Sequence, residues 1–201
     1  MPDWDERYRS GEHTSKGPSP LLIKAIKNLK PGRALDLACG VGRHALLLAQ
    51  HGWHVTAVDS SAVAVEILQQ RAREWNARDS QAFCLLVDTF VADLEKGEFQ
   101  IEMSAYDLIC DFYYLQRDLF PAIRAGVKPG GAVVAAIHLN DGNPDAKPRD
   151  PAFLLEPGEL KALFSDWEIT YYREGPSDES GHHHDTAYLI ARKPVARASR
   201  P

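Results

Sequence analysis

The stretch that decides the fold is an apolar run containing one acid, followed by two glycines and a helical pattern: Ala34-Leu35-Asp36-Leu37-Ala38-Cys39-Gly40-Val41-Gly42-Arg43-His44-Ala45. The apolar residues predict a strand over 33–38, and the residues after the glycines predict a helix over about 42–51. Gly40 and Gly42 suit a turn where the backbone comes close to a ligand and adopts angles closed to other residues. Backbone N–H groups at the start of the new helix favour an anionic group. The stretch therefore predicts a strand, a tight turn and a helix that bind a cofactor.

Helical and strand patterns alternate on both sides of this turn. Predicted helices span 20–29, 42–51, 61–77, 117–127 and 157–164, and predicted strands span 33–38, 54–59, 106–112, 132–138, 167–173 and 186–192, with one more strand inside 82–91. Ser60 or Ser61 is expected to cap the helix that ends near Ala77, and residues 128–131 are expected to form a turn. The early strands predict a parallel sheet, and the last two predict an antiparallel hairpin.

Composition is that of one soluble domain over 1–201, with a polar tail over 195–201 and a polar loop over 140–156 that is a candidate for the substrate side. The three cysteines, Cys39, Cys84 and Cys110, suit free thiols in a reducing cytoplasm. We expect no signal peptide, because the charged start of the sequence lacks an apolar core, and no apolar run is long enough to span a membrane. The net charge is −5 and no basic run occurs. We therefore expect a cytoplasmic protein, a monomer or homodimer, that binds neither membranes nor nucleic acids.

A second acid, Asp59, ends the strand that follows the first helix of this unit, where a carboxylate can accept both hydroxyls of a ribose. Gly40 and Gly42 with Ala45 and Asp59 also satisfy a relaxed dinucleotide fingerprint, so an NAD-dependent oxidoreductase is the first alternative. Three features are not required by that fold: an acid at Asp36, a helix before the first strand, and the closing hairpin.

These features resemble the class I S-adenosylmethionine-dependent methyltransferases, whose first motif is an acid followed by a small residue and Gly-x-Gly. Val91-Ala92-Asp93-Leu94 resembles the third motif of that family. Three further segments resemble the tellurite-resistance and thiopurine methyltransferase group: Trp4-Asp5-Glu6-Arg7-Tyr8, Phe153-Leu154-Leu155-Glu156-Pro157-Gly158-Glu159-Leu160 and Thr186-Ala187-Tyr188-Leu189-Ile190-Ala191-Arg192-Lys193. The resemblance implies an α/β fold with a doubly wound, mostly parallel seven-stranded sheet, helices on both faces and an antiparallel C-terminal hairpin.

The resemblance also implies roles for individual residues. Residues 1–19 would form a lid over the cofactor, Asp59 would hold its ribose, and Asp93 its adenine, with Asp88 as a second register for the third motif. The predicted residues that bind S-adenosylmethionine are Asp36, Ala38, Cys39, Gly40, Gly42, Arg43, Asp59, Ser60, Asp93, Leu94, Asp111, Trp4 and Tyr8.

The acceptor side is expected in the segment from Asp111 to Asp118, which follows the fourth strand. Tyr113, Arg117 and His138 are the candidate catalytic residues. The segment lacks the Asn/Asp-Pro-Pro-Tyr pattern of the adenine and glutamine N-methyltransferases, so we expect a small-molecule acceptor, including a soft sulfur, selenium or tellurium nucleophile. The second alternative is a non-catalytic sensor that binds the same cofactor. His182-His183-His184 predicts no metal site, because adjacent histidines point in alternate directions.

Overall fold

Seven strands form one mixed sheet in the order β3-β2-β1-β4-β5-β7-β6. The computed structural model describes residues 3–11, 17–78, 86–142, 150–179 and 184–195. The helices are α1 (Trp4–Arg9), α2 (Pro20–Ile26), α3 (Arg43–Gln50), α4 (Ala62–Arg78), α5 (Phe120–Gly126) and α6 (Glu159–Leu163). The strands are β1 (Arg33–Leu37), β2 (His54–Asp59), β3 (Val87–Val91), β4 (Tyr106–Phe112), β5 (Val127–His138), β6 (Glu168–Gly175) and β7 (Thr186–Arg192). The predicted fold class is confirmed.

The chain divides into two compact units, Met1–Gln100 and Ile101–Pro201. In the first unit, β1, β2 and β3 pair in parallel, with Asp36 beside Ala57 and Asp59 beside Val91. The apolar residues of β1 and β2 are buried, as in a sheet covered on both faces, whereas Phe90 and Val91 of the edge strand β3 are exposed. A single domain over 1–201 stays a prediction.

In the second unit, β4 and β5 pair in parallel, whereas β7 pairs antiparallel with both β5 and β6. This arrangement confirms the predicted terminal hairpin. The residues of β5 from Gly131 to His138 are buried, and so are those of β7 from Thr186 to Ala191. Their apolar side chains supply much of the core of this unit.

Two local predictions were wrong. Residues 127–131 were expected to end a helix and form a turn, but β5 begins at Val127 and the ladder to β4 shifts register before Ala132. This part of β5 is held on its other side, where Gly130 N–H donates to the carbonyl of Lys193, the residue after β7, at 2.9 Å. Sequence analysis also placed no helix before Pro20, whereas α1 forms with Asp3 as its N-cap, accepting from Glu6 N–H at 3.1 Å.

Several predicted segments extend beyond the described residues: parts of the 1–19 lid, of the third strand, of the 140–156 loop and of the 195–201 tail, together with Cys84, His182 and His183. Within the described part of the chain, every helix is too short or too polar to cross a membrane.

Candidate active site

The glycine turn, residues 38–42, connects β1 to α3. Ala38, Gly40 and Gly42 all have positive φ angles, of 48°, 53° and 78°. A Cβ at Gly42 would stand 2.1 Å from Cδ1 of Leu68 on α4, so only glycine fits this position. The turn is fixed by hydrogen bonds from Cys39 N–H to the Val58 carbonyl, at 2.9 Å, and from Gly42 N–H to the Cys39 carbonyl, at 3.0 Å.

Asp59 stands at the carboxyl end of β2, beside this turn. Its Oδ2 accepts a hydrogen bond from Gly40 N–H at 2.7 Å, and its Oδ1 accepts one from Ser61 N–H at 2.8 Å. The residue is 7% exposed. Burial raises the pKa of Asp59, and the bonds from Ser61 and Gly40 oppose that shift because they stabilise the charged form. Ser60, the predicted neighbour in the site, is exposed.

Asp36 lies one strand away and is 1% exposed. Its Oδ2 accepts a hydrogen bond from Ala45 N–H, in the first turn of α3, at 3.0 Å. Burial raises the pKa of Asp36 to about 7, against the opposing effects of the Ala45 bond and the Arg43 charge. The acid therefore stabilises the start of α3, and its role toward a ligand stays a prediction.

Helix α1 brings Tyr8 to the glycine turn. The hydroxyl of Tyr8 lies 2.8 Å from the position that a Cβ on Gly40 would occupy. Burial raises the pKa of Tyr8, and the charge of Asp59 raises it further. The Trp4 ring lies 6.0 Å from the Tyr8 ring and is partly exposed. The structure thus places Tyr8 at the turn and Trp4 behind it.

Sequence reasoning predicted Ser61 only as a helix cap and missed Asp5 as its partner near Asp59. The hydroxyl of Ser61 donates to Oδ1 of Asp5 at 2.6 Å, and the same oxygen accepts from Val63 N–H at 3.3 Å. Ser61 Oγ also accepts from Ala64 N–H at 3.1 Å, which confirms Ser61 as the predicted cap of α4. Asp5 belongs to the N-terminal motif and could have been singled out there, but nothing in the sequence pairs it with Ser61.

The third motif follows β3 directly. Asp93 begins a 3-10 helix over Leu94–Lys96, where it accepts from Glu95 N–H at 3.0 Å and pairs with the Lys96 ammonium at 2.9 Å. The hydrogen bond from Lys96 lowers the pKa of Asp93. Leu94 is buried. Asp88 lies within β3 and bonds His54 Nε2 at 2.8 Å, so Asp93 is the acid at the carboxyl end of the strand.

Two further residues that were predicted to bind the cofactor donate hydrogen bonds to backbone carbonyls. The guanidinium of Arg43 donates to the Gly17 carbonyl at 2.9 Å. The Cys39 thiol is buried and donates to the Gly40 carbonyl at 3.5 Å, and burial raises its pKa well above the ordinary value. A protonated thiol is a poor nucleophile, and the role of Cys39 toward the cofactor stays a prediction.

In the second unit, candidate acceptor residues meet at the ends of β4 and β5. Tyr113 follows β4 with a φ of 63°, a conformation that is strained for a bulky residue. Its ring centroid lies 4.9 Å from that of His138, which is 2% exposed. The His138 ring also lies 5.9 Å from the ring of His184, and its Nδ1 is 3.5 Å from Thr186 Oγ1. Asp111 is buried two residues before Tyr113.

Arg117 is placed differently from the other two candidate catalytic residues. Its guanidinium forms a double hydrogen bond with Glu159, at 2.7 and 2.9 Å, and donates to the carbonyls of Ala152 and Leu154 at 2.9 and 2.8 Å. These contacts fasten the end of the 140–156 loop to α6. The structure thus gives Arg117 a structural role, and its catalytic role stays a prediction.

No group of three or more His, Cys, Asp or Glu side chains suits a metal ion among the residues that the structure describes. His184 is described and its Nδ1 lies 3.2 Å from Asp141 Oδ1. His182 and His183 lie outside the described residues.

The family model of the tellurite resistance protein TehB matches residues 6–189. The chain belongs to the TehB family. A curated relative from Haemophilus influenzae, named "Probable S-adenosyl-L-methionine-dependent methyltransferase TehB", is 28% identical over 204 residues, covering 94% of this chain and 66% of the relative. The chain therefore spans about two thirds of the length of that relative.

Solved structures agree with the fold of a TehB-family domain. The crystal structure of TehB from Haemophilus influenzae superposes with a TM-score of 0.74 at 24% identity, covering 94% of this chain and 67% of that one. A methyltransferase from Methanosarcina mazei superposes with a TM-score of 0.67 at 18% identity, covering 90% of this chain and all of that one. The predicted resemblance to class I methyltransferases is confirmed. TehB-family membership implies S-adenosylmethionine as the cofactor and does not favour the NAD alternative.

Proposed function

We propose that this TehB-family protein transfers a methyl group from S-adenosylmethionine to a small-molecule acceptor. The observation that carries the proposal is the pair of hydrogen bonds that Asp59 accepts from Gly40 and Ser61. They hold a carboxylate at the carboxyl end of β2, next to a glycine turn, where open α/β sheets bind nucleotides. A carboxylate in this position accepts hydrogen bonds from ribose hydroxyls.

Different residues of the first unit would bind different parts of the cofactor. Asp59 would hold the ribose, Asp93 would accept from the adenine amino group, and the glycine turn with the start of α3 would hold the methionine carboxylate. The Tyr8 hydroxyl lies on the side of Gly40 where a Cβ would stand, so a ligand that comes close to this backbone contacts or displaces Tyr8. The bound cofactor supplies an electrophilic methyl group on a sulfonium.

The acceptor side of the proposal rests on Tyr113 and His138, which pack together at the ends of β4 and β5. Methyl transfer by in-line displacement depends first on alignment. Holding a nucleophile about 3–3.5 Å from the methyl carbon can lower the barrier by about 7–11 kcal/mol. A soft sulfur, selenium or tellurium nucleophile fits this sparse site, because an acceptor that is already anionic needs no general base. The TehB family description, tellurite resistance, supports that acceptor class.

Calorimetric titration with S-adenosylhomocysteine, S-adenosylmethionine and NADH tests the cofactor. We expect micromolar binding of the two adenosyl ligands only, and its loss in Asp59→Ala. Asp88→Ala is the matched control, since this acid lies in the same parallel sheet but is 62% exposed at its side chain and pairs with His54. Binding of NADH alone would overturn the proposal.

Transfer of a radiolabelled methyl group to a panel of thiols, selenite, tellurite, phenols and amines tests catalysis and acceptor class together. Product from a sulfur, selenium or tellurium acceptor supports the proposal. Cofactor binding without transfer to any member of the panel would favour the sensor alternative.

The proposal also covers the class of substrate, the cellular compartment and the oligomeric state. The acidic balance, a net charge of −5, opposes a nucleic-acid substrate. We propose a cytoplasmic monomer or homodimer. Fractionation and sedimentation measurements test these two assignments.

A further inference from the structure

Ser61 donates hydrogen bonds to two acidic residues that have different proposed roles. Its backbone N–H donates to Oδ1 of Asp59 at 2.8 Å, and its hydroxyl donates to Oδ1 of Asp5 at 2.6 Å. One residue thus connects the carboxylate proposed to hold the ribose with the N-terminal helix α1. We call the hydrogen bond between the Asp5 and Ser61 side chains the Asp5–Ser61 anchor.

Helix α1 depends on contacts of this kind for its position. It has six residues, none of them buried. A helix of that length is not stable on its own, because nucleation costs more than so few hydrogen bonds return. Asp5 attaches it to the N-terminus of α4 by bonds with Ser61 and with Val63 N–H. The charge of Asp5 also complements the partial positive charge at that end of α4.

Tyr8 follows Asp5 by three residues, so the two side chains lie on neighbouring positions of one helix face. The hydroxyl of Tyr8 reaches the glycine turn at Gly40. A group that approaches the Gly40 backbone must therefore contact Tyr8 or displace it. Whatever fixes Asp5 also fixes how closely Tyr8 covers the turn.

We propose that Asp5 is a positioning residue, whose bond to Ser61 holds Tyr8 over the glycine turn and so couples closure of α1 to the cofactor held by Asp59. The inference rests on the proposed function and adds the residue that controls closure. Because Ser61 touches both acids, cofactor binding at Asp59 and docking of α1 strengthen each other. The main consequence is for the dissociation rate, because a bound cofactor dissociates only after the Asp5–Ser61 anchor opens.

The dissociation rate of S-adenosylhomocysteine, followed by stopped-flow tryptophan fluorescence, tests this coupling. We expect Asp5→Ala, which removes the acceptor oxygen, to speed dissociation about tenfold and to raise KM for S-adenosylmethionine more than it changes kcat. Ser61→Thr, which keeps the hydroxyl, should behave like the unmodified protein. Glu6→Ala is the matched control on the same helix, since the Glu6 carboxylate pairs with exposed Arg9 at 3.6 Å.

A double-mutant cycle separates coupling from general loosening of the fold. Ser61→Ala also removes the cap of α4, so its own effect includes stability. If the anchor acts as proposed, Asp5→Ala has little further effect on dissociation in the Ser61→Ala background. Additive effects, or a rate in Asp5→Ala within twofold of that in Glu6→Ala, would overturn the inference.

Failure of the proposed function would look different. If the unmodified protein binds no S-adenosylhomocysteine, the proposed function fails and the coupling to the cofactor fails with it. The anchor itself is then decided by hydrogen exchange of residues 4–9 in the ligand-free protein. Faster exchange in Asp5→Ala than in Glu6→Ala supports the anchor, and equal exchange overturns it.

Discussion

The carboxylate of Asp59 accepts a hydrogen bond from the backbone N–H of Gly40 at 2.7 Å, which ties the end of β2 to the turn that follows β1. This bond holds the carboxyl ends of two neighbouring parallel strands in one arrangement before any ligand arrives. Preorganisation of this kind lowers the ordering cost of binding. It also makes the two halves of the proposed cofactor site depend on each other.

Substituting alanine for each of the two glycines of the turn should distinguish an effect on ligand affinity from an effect on stability. In Gly40→Ala the new Cβ would meet the Tyr8 hydroxyl at 2.8 Å, and this is the end of a side chain that can move. We expect tenfold or greater loss of S-adenosylhomocysteine affinity with a modest loss of stability. In Gly42→Ala the Cβ would stand 2.1 Å from Leu68 in the core, so the free energy of unfolding should fall by about 2–4 kcal/mol.

Urea unfolding and calorimetry on both variants check this contrast. The double variant Gly40→Ala with Tyr8→Ala serves as the control, since it removes the clash but not the backbone strain at a φ of 53°. Equal loss of stability in the two single variants would contradict the assignment of Gly40 to the ligand side and Gly42 to the core.

The sequence predicted this turn well because its requirements are local. An apolar strand, glycines that permit positive φ and an acid that ends the next strand are all visible within residues 33–59. Helix α1 was missed because its stability comes from Ser61 and Val63, more than fifty residues away. The start of β5 was missed because Lys128–Gly131 has the composition of a turn, while the bond to Lys193 that extends the ladder is a tertiary contact.

Site residues were less predictable than strands for the same reason. The sequence predicted that Arg117 acts on the methyl acceptor. In the structure its guanidinium instead binds Glu159 and two carbonyls of a distant segment. The sequence left both Asp88 and Asp93 as candidates for the acid of the third motif. Only the register of β3 places Asp93 beyond the strand.

Asp36 should make stability depend on pH. Burial raises the pKa of Asp36 to about 7 in the folded protein, from an ordinary value of 3.8. Because the folded state binds this proton more tightly than the unfolded chain, the carboxyl contributes stability below about pH 4, and that contribution is lost as the pH rises toward 7. Asp36→Asn does not titrate, so its stability relative to the unmodified protein should rise by roughly 2–4 kcal/mol between pH 4 and pH 8.

Urea unfolding of both proteins across that range measures the difference directly. Other groups titrate equally in the two proteins, so their effects cancel. A constant difference between pH 4 and pH 8 would show that the folded protein does not hold the Asp36 proton, and a difference of opposite slope would show that the pKa is lowered.

Arg117 should matter to stability rather than to cofactor binding. Arg117→Ala removes its paired bonds to Glu159 and leaves the Ala152 and Leu154 carbonyls without these donors. Since the guanidinium is 43% exposed, we expect a loss of only about 1–2 kcal/mol, with unchanged S-adenosylhomocysteine affinity. Unchanged stability combined with a large fall in methyl transfer would instead return Arg117 to the catalytic role predicted from the sequence.

His138→Asn should report the chemistry of the acceptor. His138 is buried and its ring lies against Tyr113. General base catalysis contributes about 10²–10⁴ to a rate, whereas a soft anionic acceptor needs no proton removed. For the proposed soft acceptor we expect methyl transfer by the variant to fall less than tenfold, with a raised KM for the acceptor. His54→Asn, on the exposed start of β2, is the control for loss of a histidine. A fall of 10² or more in the His138 variant would make His138 the base and assign the acceptor to phenols, alcohols or amines.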